Sequence, residues 1–159
     1  MSDKCFLAVE TSCDETAVAI VQHSQDTISV LSQAVASQID IHAVTGGVVP
    51  EVAAREHVAV LPSLIKTVLE QSKLSRDNLD AIAVTVGPGL MPALVIGVTA
   101  AQALAYTWKK PIIPIHHLEG HIYSALLAPA SQAQFPISNF QTKEYFLPWH
   151  SLSLADIPC

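Results

Sequence analysis

Two histidines four residues apart, His117 and His121 in the stretch HHLEGH, are the residues of this chain best suited by type and spacing to do chemistry. On a helix they project from one face, about 40° apart around the axis, as two imidazoles must to reach one metal ion. This is not the HExxH of a zinc protease: Glu119 lies two positions from each histidine, points to the opposite side and cannot serve as general base at that metal. Two neutral imidazoles do not complete a site, because zinc or iron takes at least a third protein ligand. Spacing alone therefore leaves open an ordinary pair of histidines. Gly120 costs a helix about 1 kcal/mol relative to alanine, which predicts close approach by another backbone or by a ligand.

Three further stretches carry candidate chemistry. In ETSCDET, residues 10–16, small hydroxyls and backbone amides in a strand-to-strand turn suit a phosphate, and Glu10, Asp14 and Glu15 suit magnesium or its waters. The alternative is that Asp14 and Glu15 are good turn residues. Cys13 in the same turn has no histidine near it in sequence and reads as a packing cysteine. In TVGPGLMPALVIG, glycines after a strand allow close ligand approach beside a helix N-terminus, or simply make a tight turn with Gly97 thinning the helix for packing. In EVAAREHV, Glu51 and Arg55 are spaced for a helical ion pair with Glu56 and His57 beside them, so we expect a solvated helix face.

The elements that must hold these residues follow from periodicity. CFLAVE, TAVAIV and TISVLSQAVAS read as three successive strands, the first two joined by a tight hairpin. A helix opens at Pro50 with Val52, Arg55, Glu56, Ala59 and Val60 at helical spacing, and Pro62 is expected to kink or split it. Residues 79–87 are a buried strand, 92–108 an apolar helix, 111–115 a short strand and 117–128 a last helix. This β-β-β-α-β-α-β-α order is α/β, a meander feeding a βαβ crossover, as in one lobe of a ribonuclease-H-like or actin-like ATPase fold, and an unrelated α/β layer also satisfies it.

Composition bounds the setting. The chain has 159 residues, half of them apolar, enough for one domain with a core. A formal charge of −6 argues against a broad cationic surface for nucleic acid, so any such role needs a local patch or a partner. Three cysteines without a CxxC pair, behind a start too polar for a signal peptide, predict a reduced, cytoplasmic setting. Leu90 to Trp108 is long enough to span a bilayer, but its Ala, Gly, Thr and Gln102 predict a helix buried in an α/β core, with no membrane.

Taken together, LAVETSCDETAVAIV, GGVVPEVAAREHV, VTVGPGLMPALVIGVTAAQALA and IIPIHHLEGHIYSALL resemble the TsaD/Gcp family of tRNA adenosine threonylcarbamoyltransferases over about residues 4–136. The resemblance implies the first lobe of an ASKHA fold, residues 1–136. It also implies transfer of threonylcarbamoyl from an ATP-derived threonylcarbamoyl-adenylate to N6 of the adenosine beside the anticodon, in tRNAs reading codons that begin with A. It assigns His117 and His121 to iron, alternatively zinc, and Ser12, Asp14 and Glu15 to the loop facing the adenylate. It implies tRNA, a TsaB-like paralogue and a TsaE-like ATPase as partners.

Residues 137–159 depart from the family pattern. A Ser-Gly-Gly-His-Thr loop and a second lobe with an aspartate ligand would follow there, and neither does. His116 stands where the family commonly has asparagine. The expectation is a divergent tail on a truncated form that binds metal weakly and does not transfer by itself. Two rival readings are a noncatalytic dimerisation module for the TsaB-like partner and the metallopeptidase of the family's older name, O-sialoglycoprotein endopeptidase.

Overall fold

The structure is a computed structural model describing residues 3–24, 27–124 and 128–129. The divergent tail assigned to 137–159 lies outside the described residues. Strands β1 (Lys4–Glu10), β2 (Glu15–Ser24) and β3 (Thr27–Ser37) form the expected antiparallel meander, with Leu7 opposite Ile20 and Ala17 opposite Val35. Two parallel strands, β4 (Ala81–Gly87) and β5 (Ile112–His116), extend the sheet beyond β1, and β6 (Ala128–Pro129) pairs with β3. Among the described residues the sheet order is β5-β4-β1-β2-β3-β6.

Helices α2 (Pro50–Ser72) and α3 (Met91–Trp108) pack on one face of this sheet. The alternation of apolar residues decides which side chains meet them: Leu7, Val9, Val18, Ile20, Ile82 and Val84 are buried beneath the helices. The β4–α3–β5 crossover is the βαβ unit read from the sequence. Three short elements are additions to that reading: α1 (Ile39–Ala43), a 3-10 turn at Arg76–Asn78, and β6, whose Ala128 is a strand residue at the expected end of the last helix.

Three expectations about helices need correction. Helix α2 does not split at Pro62; Pro62 and Val58 lie on its exposed side, where the carbonyl deprived of a donor is open to water. Its buried stripe is Ala53, His57, Leu61 and Val68. His57, expected on a solvated face, is fully buried. Helix α3 is buried only along Ala93, Leu94, Gly97, Ala101 and Ala105, while Met91, Val95 and Tyr106 are 70%, 49% and 88% exposed. It is the one helix among the described residues long and apolar enough to cross a membrane.

Candidate functional site

Helix α4 (His117–Ser124) starts directly where β5 ends, so its first residue is fixed at the C-terminal edge of the sheet. One turn later His121 returns to the same side. The two Nε2 atoms lie 3.0 Å apart, with the rings edge to face at 4.4 Å between centroids. An ion at the ~2.0–2.1 Å bond length of zinc to a histidine nitrogen can touch both atoms at that separation. The pair therefore fits a metal as two of its donors. Among the described residues no group of three or more His, Cys, Asp and Glu side chains closes on a common point.

His117 is held from behind by the end of β1. Its Nδ1 is 3.1 Å from Ser12 Oγ and 3.4 Å from Glu10 Oε2. A carboxylate only accepts, so this contact favours a proton on Nδ1 and leaves the Nε2 lone pair directed at His121. Glu10 itself accepts from the Ser12 amide and from the Thr85 hydroxyl. Burial pushes the Glu10 carboxyl up, but the donors Ser12, Thr85 and His117 outweigh it and hold the group below its ordinary value. The groove in front is lined by Glu10, Thr85, Ile115, His117, Gly120 and His121.

The loop between β1 and β2, residues 11–14, is clamped against the start of α3. Thr11 Oγ1 donates to the Ala93 carbonyl at 2.9 Å, and the Leu90 amide donates to the Ser12 carbonyl at 2.7 Å. A Cβ at Gly89 would sit 2.6 Å from that same Ser12 oxygen, and one at Gly97 would overlap the Thr11 hydroxyl. These glycines admit the loop itself, and of the two readings of GPG and Gly97 the close packing is the one found at Gly97. A Cβ at Gly120 meets nothing within 4 Å among the described residues, so of the two approaches expected there, by another backbone or by a ligand, none of the described backbone makes the first.

Of the residues singled out by sequence, the fold brings Ser12, His117 and His121 together. Asp14 and Glu15 stand at the far end of the loop: the Asp14 carbonyl accepts from the Gln38 amide at 3.0 Å, and Glu15 is exposed, opposite Ser37 on β3. Glu119 is exposed. Sequence reasoning weighed Glu10 only as a magnesium ligand and passed over Thr85. The signal for both was strand phase: Glu10 continues the row of Phe6 and Ala8, and Thr85 that of Ala81 and Ala83, on the face opposite the helices.

A family profile described as TsaD, tRNA N6-adenosine threonylcarbamoyltransferase, matches residues 29–140. A tRNA N6-adenosine threonylcarbamoyltransferase of Synechococcus sp. (strain JA-3-3Ab) is 52% identical over 129 residues, 79% of this chain and 35% of that protein. One of Staphylococcus aureus (strain JH9) is 52% identical over 122 residues, with 77% and 35% covered. The chain thus spans about a third of the length of the curated relatives it matches. The solved structure of YeaZ from Pseudomonas aeruginosa superposes with a TM-score of 0.56 at 20% identity, covering 78% of this chain and 49% of YeaZ. That likeness shows the fold, the ASKHA-type α/β lobe that the family resemblance implies.

Proposed function

Because this chain belongs to the TsaD family of tRNA N6-adenosine threonylcarbamoyltransferases, we propose that it serves the transfer of threonylcarbamoyl from threonylcarbamoyl-adenylate to N6 of the adenosine beside the anticodon, in tRNAs reading codons that begin with A. The observation that carries this reading is the histidine pair with converged Nε2 atoms, backed at Nδ1 by Ser12 and Glu10. His117 and His121 would hold iron, alternatively zinc. When bound, the metal supplies Lewis-acid polarisation of the threonylcarbamoyl group.

The chain's own residues do the rest. Glu10, kept ionised by Ser12 and Thr85, orients the His117 ring. Ser12 and Asp14 of the loop, with Glu15 at the start of β2, are the residues assigned to the adenylate; the two carboxylates suit its hydroxyls and amino groups rather than its phosphate. The adenine amine forms the new C–N bond, AMP leaves as the C–O bond to the carbamoyl carbon breaks, and the nitrogen's proton passes to water. No side chain acts as nucleophile.

A second role rests on its own observation, the uncharged exposed side of α3 with Met91, Val95 and Tyr106. We assign this face to a TsaB-like protein partner rather than to a membrane, with a TsaE-like ATPase joining the assembly in the cytoplasm. The exposed Glu119 offers no support for a peptidase.

The test is a chimera in which residues 4–124 replace the matching segment of the Synechococcus relative. It should modify tRNA, and His117→Ala should lower modification by about a hundredfold or more, since even outer partners of a metal site contribute 10–100-fold. A chimera equally active with and without His117 would sink the proposal.

A further inference from the structure

The loop that carries Ser12 is gripped from a side that the transfer reaction does not use. His57, from the middle of α2, is fully buried against it. Its Nε2 lies 3.1 Å from the Cys13 carbonyl and its Nδ1 lies 2.7 Å from Thr16 Oγ1. A carbonyl only accepts, so the proton must sit on Nε2, and Nδ1 then accepts from the Thr16 hydroxyl. Of the two neutral tautomers only this one satisfies both ring nitrogens, and the Gln38 Nε2 donor 3.5 Å from Nδ1 favours it over the charged ring.

The ring has a second line of support. The Val49 amide donates to His42 Nδ1 at 3.4 Å, and His42 Nε2 in turn donates to Gln38 Oε1 at 3.0 Å. Gln38 Nε2 is 3.4 Å from the Ala53 carbonyl and 3.5 Å from His57 Nδ1, while the Gln38 amide donates to the Asp14 carbonyl at 3.0 Å. His42, Gln38, Thr16 and His57 are all buried, so each bond is made in surroundings where a lost partner is not replaced by water. Successive carbonyls of the loop, Cys13 and Asp14, are thereby tied to α2 and to the residue before α1. Immediately upstream, Ser12 meets His117.

We infer that His57 is a positioning residue: through the Cys13 carbonyl it fixes the loop so that Ser12 meets Nδ1 of His117, setting the ring for its metal. The metal part of this inference rests on the function proposed above; the clamp itself does not.

Nuclear magnetic resonance of the full chain tests both parts. Long-range imidazole spectra at neutral pH should report His57 as the Nε2–H tautomer, and the opposite tautomer or a charged ring would overturn the inference. In His57→Ala, hydrogen exchange at the Ser12 and Gln38 amides should accelerate about tenfold, with the Ile82 and Val84 amides unchanged. His57→Gln, which restores a donor to Cys13, should return exchange to within about threefold of the parent.

Should His57→Ala not fold, Thr16→Val removes the hydroxyl at similar volume and should speed the same two amides by about threefold. Zinc alone, followed at His117 and His121, should bind about three- to tenfold more weakly to His57→Ala. Unchanged exchange at Ser12, or looser exchange with zinc affinity intact, would overturn the positioning role. A parent chain that binds no zinc would sink the metal reading, while the exchange data still decide the clamp.

Discussion

The two faces of the sheet are built from the same strands and differ in everything else. Toward α2 and α3 the alternating positions are Leu7, Val9, Val18, Ile20, Ile82 and Val84, all at most 2% exposed. On the other face the intervening positions are Ala8, Ala17, Ala19 and Ala83, ending in Glu10 and Thr85 at the edge where α4 sets its histidines. The first face stabilises the fold through bulk. The second contributes little volume, and its small side chains leave room above the sheet for the polar cluster.

The sharpest way to break this contrast uses neighbouring residues of β4. Ile82→Ala, in the fully buried row, should cost about 2–5 kcal/mol by chemical denaturation. Ala83→Ser, one residue along on the open face, should stay within about 0.5 kcal/mol. Equal losses would show that both faces are core.

The junction between the faces is next. Gly97→Ala should cost about 1–3 kcal/mol, because the new methyl meets Thr11 of the loop that carries Ser12. Combining it with Thr11→Ala should recover part of the loss, a non-additivity that a double-mutant cycle reads directly.

The smallest effect is in pH. Burial holds His57 below its ordinary value of 6.5, against the pull of the Cys13 carbonyl and of Glu10 and Asp14. Above 6.5 both folded and unfolded chains carry it neutral, and its contribution is complete. As pH falls below 6.5 the unfolded chain takes up a proton that the folded chain does not, so stability declines, by at most about 1.4 kcal/mol per pH unit. His57→Gln should flatten that slope; a slope unchanged by the substitution would assign it to other groups.

Legibility in the sequence followed the range of the interactions. Strands β1 to β4, both long helices and the crossover are local patterns of period two or 3.6, and they were readable. His57 reads as solvated in the sequence because Glu51 and Arg55 are spaced for an exposed helical ion pair, with Glu56 beside them. The deciding fact, that Ala53, His57 and Leu61 face the sheet, is tertiary. Gly97 was legible as a packing glycine, but its partner Thr11, 86 positions away, was not. Glu10 was visible as a charge closing an apolar strand, without any indication that it backs a histidine 107 residues on.

Sequence by itself determined the α/β order and the spacing that turns His117 and His121 to one side of a helix, because both follow from backbone periods. Its motifs also carried the resemblance to the TsaD family. Only the tertiary structure decided that Ser12, Glu10 and Thr85 converge behind His117 while Asp14 and Glu15 do not. Convergence depends on how β1, β4 and β5 are ordered and registered in one sheet. That register is set by burying the opposite face under two helices.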